Sequence, residues 1–287
     1  MSVERIVLRA PAKINWTLEV LGKRPDGYHE VSTTLQTIDV CDTITLRHAD
    51  AIELEIMGDC SALADEPVED NLAYRAAALL KKRCGYAGGA HIDLEKRIPV
   101  GAGLGGGSSD AAAVLRGLRA LWQLDLSDDD LMRMAADLGS DVPFFVVGGR
   151  ALATGRGEKI EPLPKTADQT LVIAWPERRL DNKTARMYAA LKEEHFREPG
   201  MAPNDGTFNT FELVLDEVDR EAADLFVRAA KAVHLTPRLC GSGPAFFLIV
   251  PAGQAAPTIA ALEGLGLHAI ASRPITAAEA TAMSVDA

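Results

Sequence analysis

Residues 99–109 read PVGAGLGGGSS, and five of the eleven are glycine. Glycine lets the backbone enter φ > 0 and approach a ligand closely. In front of the loop, AHIDLEK (Ala90 to Lys96) alternates Ile92 and Leu94 with polar neighbours, the pattern of a half-buried strand. Behind it, SSDAAAVLRGLRALW places Ala111, Val114, Leu115, Leu118 and Leu121 at helical spacing. Strand, glycine loop and helix start, in that order, aim the free N–H groups and positive dipole end of the helix at whatever the loop holds. Phosphate suits such a cradle. A tight connection is the plainer reading, but three consecutive glycines cost backbone entropy that a connector has no need to lose.

The kind of phosphate loop follows by exclusion. No Lys-Ser or Lys-Thr follows the glycines, so this is not a Walker A loop. Gly101, Gly103 and Gly106 do satisfy G-x-G-x-x-G, but a dinucleotide fold requires the helix to lead into a parallel strand with an acidic residue. Instead LDLSDDDLMRMAADLG begins a second helix, with Ser127 as N-cap and Asp130 three residues on, a capping-box variant. Neither His-Arg-Asp nor Asp-Phe-Gly occurs, which excludes the protein-kinase arrangement.

Composition narrows the class. The 287 residues suffice for one large domain or two modest ones. The formal net charge of −11 disfavours non-specific binding to nucleic acid or to anionic membranes. An anionic substrate therefore needs local positive charge, for which Lys13, Lys96 and Arg97 are candidates by position. The run Lys81-Lys82-Arg83 closes a helix, where cations suit the dipole. Cys41, Cys60, Cys84 and Cys240 form no C-x-x-C, and the six histidines show no H-E-x-x-H, so neither a disulfide framework nor a metal site is expected. No apolar run approaches the roughly twenty residues that span a bilayer, and a reduced, cytoplasmic protein is expected.

Residues 3–57 read as five strands, VERIVLRA, INWTLEVL, TTLQTI, DTITLR and IELEIM, with a turn at Pro25-Asp26-Gly27 followed by Tyr28 and His29. Asp70 is expected to cap the helix NLAYRAAALLKKR, which ends at Gly85. After the second helix, GSDVPFFVVGG carries Asp141 two residues before Pro143, and RALATG with Glu158 to Ile160 forms a hairpin. PLPKTADQ (Pro162 to Gln169) is the best linker. Beyond it, TLVIAWP reads as a buried strand and TARMYAALKEEHF as a helix. Residues 198–209 are irregular, a helix spans about Glu217 to Val233, PRLCGSGPAFFLIV is a glycine turn into an apolar strand, AAPTIAALEGLG is helical, and LHAIAS is a closing strand. The class is α+β, with domains at 1–163 and 164–287.

Three separated pieces, PAKIN (Pro11 to Asn15), PVGAGLGGGSSDAA and LCGSGPAFF (Leu239 to Phe247), together resemble the GHMP kinases. DGYHE and LGSDVPFF extend the resemblance, in detail from about residue 8 to 155 and again at 239–247. It implies two domains, one like the second domain of ribosomal protein S5 and one ferredoxin-like, with the site between them. It also implies ATP as phosphoryl donor, magnesium accompanying it, and as acceptor the 2-hydroxyl of a cytidyl-diphosphate methylerythritol. Small molecules are then the partners, with no nucleic acid and no membrane, for a monomer or weak homodimer. A mevalonate- or homoserine-type kinase is the nearest alternative. A non-catalytic nucleotide-binding relative is another, although Lys13 and Asp141 are both retained.

The resemblance assigns roles residue by residue. Asp141 matches the catalytic aspartate, which orients the acceptor hydroxyl and accepts its proton. Without the resemblance, Asp141 would read as the N-cap of a Pro-started helix. Lys13 matches the catalytic lysine, where a bare sequence would suggest a surface lysine, and Asn15, which shares its strand face by period two, is expected to bind and orient the substrate. Pro99, Val100, Gly101, Ala102, Gly103, Leu104, Gly105, Gly106, Gly107, Ser108 and Ser109 wrap the ATP phosphates. Lys96 and Asn71 lie near the adenosine by the family's layout, where an exposed polar residue is the plainer reading. Asp110 is expected as a favourable charge in the first helical turn. Tyr28 and His29 match residues that hold the cytosine. Thr184 and Tyr188, four apart on one helix face, resemble a Thr-x-x-x-aromatic whose ring stacks on the base. The spacer from Trp175-Pro176 to Thr184 is slightly long, which leaves a core tyrosine open as the alternative. Gly241, Ser242 and Gly243 support the cleft from the second domain or form a plain tight turn, and Cys240 reads as a small buried residue with no redox role.

Overall fold

The computed structural model describes residues 3–58, 66–165, 168–177, 180–198 and 206–286. Cys60, part of the expected linker, part of the spacer before Thr184 and most of the irregular segment 198–209 lie outside these residues.

Two long strands carry the first half. β1 (Arg5–Lys23) and β2 (His29–Ala49) pair antiparallel along nearly their whole length. The sequence suggests four strands here, because Pro11 and the aspartates at 39 and 42 look like breaks. Both are absorbed as irregularities, with register shifts at Pro11/Lys13, Asn15/Thr17 and Val20/Gly22. β3 (Ile52–Gly58) pairs parallel with β4 (Gly89–Lys96), which pairs with β2. Between them lies α1 (Leu72–Cys84), capped by Asn71 rather than by the expected Asp70. The Asn71 side chain accepts from Ala73 N, and Gly85 closes the helix in the left-handed region.

α2 (Gly106–Leu121) follows the glycine loop, beginning two residues earlier than its apolar spacing suggests. α3 (Asp128–Leu138) has the expected capping box between Ser127 and Asp130. Next come α4 (Val142–Val147) and the hairpin β5 (Arg150–Gly155) and β6 (Lys159–Pro162), with β5 on β2.

The second sheet is built from β7 (Thr170–Trp175), β9 (Arg238–Leu239), β10 (Phe246–Val250) and β11 (His268–Ser272), in the antiparallel order β11-β7-β10-β9. With α7 (Arg220–Val233) before β9 and α8 (Ala255–Glu263) before β11, this is the ferredoxin-like β-α-β-β-α-β arrangement. Between β7 and α7 lie α5 (Lys183–Ala190), the two-residue β8 (Phe208–Asn209) and α6 (Leu215–Val218). The single helix expected over 217–233 breaks at Asp219, whose carboxylate caps Ala222 N and pairs with Lys183. β11 is not the closing strand. α9 (Ala277–Thr281) and β12 (Met283–Asp286) return to the first sheet, where β12 pairs with β1, and β8 also adds to β1.

β1 organises the interior by its two-residue period. Ile6, Leu8 and Ala10 enter the core beneath α1–α4. Ala12, Ile14 and Trp16 meet Leu171, Ile173 and Phe247 in a buried seam between the two sheets, and Leu18 and Val20 join the core of the second half. The even positions are thus consumed by packing. The odd positions Lys13 and Asn15 are left for the cleft.

Candidate active site

The glycine loop is pinned from two sides. Lys13 N donates to Leu104 O at 2.9 Å, and Ala245 N donates to Ala102 O at 3.1 Å. The side chains of Ala102 and Leu104 are buried in the seam, so these two residues offer only backbone to a ligand. A Cβ on Gly103 would lie 2.1 Å from the Cys240 carbonyl oxygen, at φ +87°. Gly105 takes φ +75° at the N-cap of α2, with no side chain capping the helix. The first intrahelical donor is Ser109 N, to Gly105 O at 2.9 Å, so the N–H groups before it remain for an anion. Ser109 itself is buried and its hydroxyl has no partner, which leaves Ser108 as the serine with access.

Lys13, only 4% exposed, places Nζ 2.7 Å from Asn15 Oδ1 and 3.6 Å from Asp141 Oδ2. Asn15 in turn donates to Thr33 Oγ1 at 2.8 Å. Asp141 does occupy the N-cap position of α4, yet its side chain caps nothing. Its side chain is 39% exposed, open to the cleft. A carboxylate released from its ordinary structural duty and set beside a buried ammonium can accept a proton from a hydroxyl.

Lys96 is neither exposed nor free for a phosphate. It is buried between Asp42 and Asp110, with Asp110 Oδ2 at 2.7 Å. Burial alone would lower the lysine pKa, but the charges of Asp110 and Asp42 outweigh it and hold it raised. Asp110, in the second turn of α2 rather than the first, is raised to about 8, chiefly by burial. Asp42 Oδ1 accepts from Arg97 N at 2.5 Å and Ile98 N at 2.8 Å, and so fixes the chain entering the glycine loop. The expectation that Lys96 supplies local positive charge fails because both carboxylates already consume it. Arg97 is exposed and paired with Glu95. Asn71 spends its side-chain oxygen as the α1 cap.

A cavity of about 1090 Å³ opens from the glycine loop toward Tyr28, His29, Thr184 and Tyr188. A smaller one of about 240 Å³ contains Lys13, Asn15 and Asp141. Tyr28 is 54% exposed, with the Arg156 guanidinium 4.7 Å from its ring centroid. His29 stacks on Tyr188 at 4.7 Å. Burial, then the Lys23 charge, lowers the His29 pKa, so the ring is neutral at pH 7. Tyr188 lines the cavity and also packs against the second core, edge-on to Phe211. Burial, then the charge of Asp141, pushes its hydroxyl up to about 12. Thr184 Oγ1 and Ser242 Oγ are 2.8 Å apart, joining α5 to the turn of the third motif. Cys240 is fully buried and raised by burial to about 12, an unreactive thiol.

Asp42, Arg156, Asn209 and Lys183 are absent from any reading of the motifs. Asn209 donates to Leu239 O and Gly241 O at 3.0 and 2.8 Å and shapes the third motif from a distant segment. Outside the cleft, Glu55, His91 and Asp93 bring ligand atoms within 4.8 Å of one another. Both His91 nitrogens are already engaged there, by Glu53 at 2.9 Å and Asp93 at 3.0 Å. Strand pairing creates that cluster, not spacing.

A glycine loop at a helix start, facing a lysine–aspartate pair in a cleft between these two sheets, has the parts of a small-molecule phosphotransferase. The model for the GHMP kinases N terminal domain matches residues 71–149. The 4-diphosphocytidyl-2-C-methyl-D-erythritol kinase of Bacillus cytotoxicus is 40% identical over 259 residues, covering 86% of this chain and 88% of that one. The chain belongs to the GHMP kinase family. A crystal structure of 4-(cytidine 5'-diphospho)-2C-methyl-D-erythritol kinase superposes with a TM-score of 0.79 at 35% identity, covering 93% and 98% of the two chains. A homoserine kinase from Cytophaga hutchinsonii reaches 0.70 at 15% identity over 100% and 98%, a likeness of fold alone.

Proposed function

We infer that this chain is the ATP-dependent kinase of 4-diphosphocytidyl-2-C-methyl-D-erythritol, forming the 2-phosphate and ADP. The observation that carries the reading is the Lys13–Asp141 pair, set beside the glycine loop at one end of a cleft with Tyr28 and His29 in its wall. The N–H groups at the start of α2 hold the ATP phosphates. Asp141 orients the acceptor hydroxyl and takes its proton as the new P–O bond forms. The Lys13 ammonium offsets negative charge building on the acceptor oxygen and the transferring group. Asn15 fixes Lys13 by accepting its hydrogen bond.

Magnesium fits this arrangement as a companion of ATP. Asp42 and Asp110 are already taken by Lys96, and phosphate oxygens and water would hold the ion. Bound there, it supplies charge neutralisation of the phosphates.

A flat base needs a stacking surface and edge hydrogen bonds. Tyr28, Tyr188 and the neutral His29 supply them, which favours a cytidyl acceptor over mevalonate or homoserine. Incubation with labelled ATP and, separately, the cytidyl-diphosphate methylerythritol, mevalonate and homoserine tests this. Transfer to the first is expected. Transfer to mevalonate or homoserine alone overturns the reading.

A further inference from the structure

Six residues line both the large and the small cavity: Gly103, Asp141, Arg156, Thr184, Tyr188 and Ser242. Arg156 is the only cation among them. It sits at the turn of the β5–β6 hairpin, held through its backbone, where Arg156 N donates to Glu158 Oε2 at 2.6 Å and Gly155 N to Glu30 Oε1 at 3.1 Å. Its guanidinium makes no ion pair among the described residues and rests on the Tyr28 ring. The other cations near the cleft are engaged or peripheral. Lys13 belongs to the reacting end, Lys183 is buried on Asp219, and Lys23 lines only the outer cavity.

An extended acceptor of the proposed kind carries its base at one end, its hydroxyl at the other and a diphosphate between. Tyr28 and His29 mark one end of the cleft and Lys13 and Asn15 the other. Arg156 lines the junction of the two. We propose that Arg156 is a specificity-determining residue that binds the acceptor's diphosphate, its planar fork donating to two phosphoryl oxygens while the guanidinium stays over the Tyr28 ring. A guanidinium keeps its charge at all physiological pH and matches phosphate bidentately. In a chain of net charge −11, such a cation lets the middle of the cleft admit an anion. This rests on the cytidyl-acceptor reading above and names the residue that makes the acceptor's diphosphate matter.

The test compares binding of cytidine with that of CDP-glycerol, which carries the same kind of doubly charged diphosphate diester, by titration calorimetry in the full chain and in Arg156→Ala and Arg156→Lys. The parent should bind CDP-glycerol more tightly than cytidine. Arg156→Ala should shrink that preference by about tenfold, Arg156→Lys by less, with the KM for ATP unchanged in both. If Arg156 only steadied the Tyr28 ring, both ligands would weaken equally and the ratio would stand, which overturns the proposal. If the parent binds neither ligand, the cytidyl-acceptor reading itself falls and this proposal with it. Melting temperatures within a few degrees of the parent confirm that the variants are folded, and the ratio is then read directly.

Discussion

Lys13 Nζ stands 3.6 Å from Asp141 Oδ2, one from the middle of β1 and the other from the residue that starts α4. Neither element alone explains the pairing. Lys13 is aimed at the cleft because the even positions of β1 are consumed by packing, and Asp141 is aimed there because its carboxylate caps no helix. Asp141→Asn keeps the shape and removes the proton acceptor. It should lower kcat by about 100-fold or more while the KM for ATP stays within twofold. Near-normal turnover would remove Asp141 from the chemistry.

Lys13→Ala should also cost about 100-fold in kcat. Unlike Asp141→Asn, it leaves the Asn15 amide oxygen without its donor, so the acceptor KM should rise as well. Steady-state kinetics on both variants separates the two roles. Identical KM values for the acceptor would argue against Asn15 as a positioning group.

The buried cluster beneath the loop gives a stability test. Lys96→Met leaves the Asp42 carboxylate buried without its cation and should cost about 3–5 kcal/mol in urea unfolding. Asp110 supplies a pH signature. Its carboxyl loses its proton near pH 3.8 in the unfolded chain but holds it to about 8 in the fold. Between those values the fold binds a proton that the unfolded chain does not. Stability from this group therefore falls as pH rises and levels off above about 8. Asp110→Asn has no proton to lose, so its melting temperature relative to the parent should climb from pH 5 to pH 9. A difference independent of pH would contradict this account.

Much of this was legible in the chain and some of it was not, for identifiable reasons. The glycine loop, the capping box at Ser127 and the shared face of Lys13 and Asn15 are local, set by period and turn chemistry. Continuous β1 and β2 are not legible, because a proline and two closely spaced aspartates look like ends until a partner strand absorbs them. Lys96 reads as a surface lysine because Asp42, which buries it, sits 54 residues away with nothing in the spacing to connect them. The return of β12 to β1 joins the last residues to the first, a contact no local pattern encodes.

Tyr188 meets the cleft through its ring, stacked on His29. Tyr188→Phe should be nearly silent, whereas Tyr188→Ala should raise the acceptor KM by about tenfold or more, the worth of one base–aromatic stack. ATP should be unaffected in both. Because burial and the Lys23 charge hold the His29 pKa below 6.5, acceptor binding should be flat from pH 7 to 8 and weaken only on acidification past that value. Equal loss of ATP and acceptor affinity in Tyr188→Ala would instead mark a core residue.

Two glycines of the loop should respond to alanine in opposite directions. At Gly103 the new methyl would lie 2.1 Å from the Cys240 carbonyl oxygen, a backbone atom of the turn that braces the loop from the second sheet, and φ is +87°. The loop has to move or the turn has to. Gly103→Ala should therefore cost about 1–3 kcal/mol and raise the KM for ATP by loosening the cradle. Gly107 is exposed on α2, where a methyl meets only Leu72 Cδ1 at 3.6 Å, an ordinary contact. Gly107→Ala should stabilise the chain by about 1 kcal/mol through helix propensity alone. Denaturant midpoints measured without nucleotide give both signs. If Gly103→Ala were as stable as the parent, the close approach of the loop to Cys240 would not be what holds it in place.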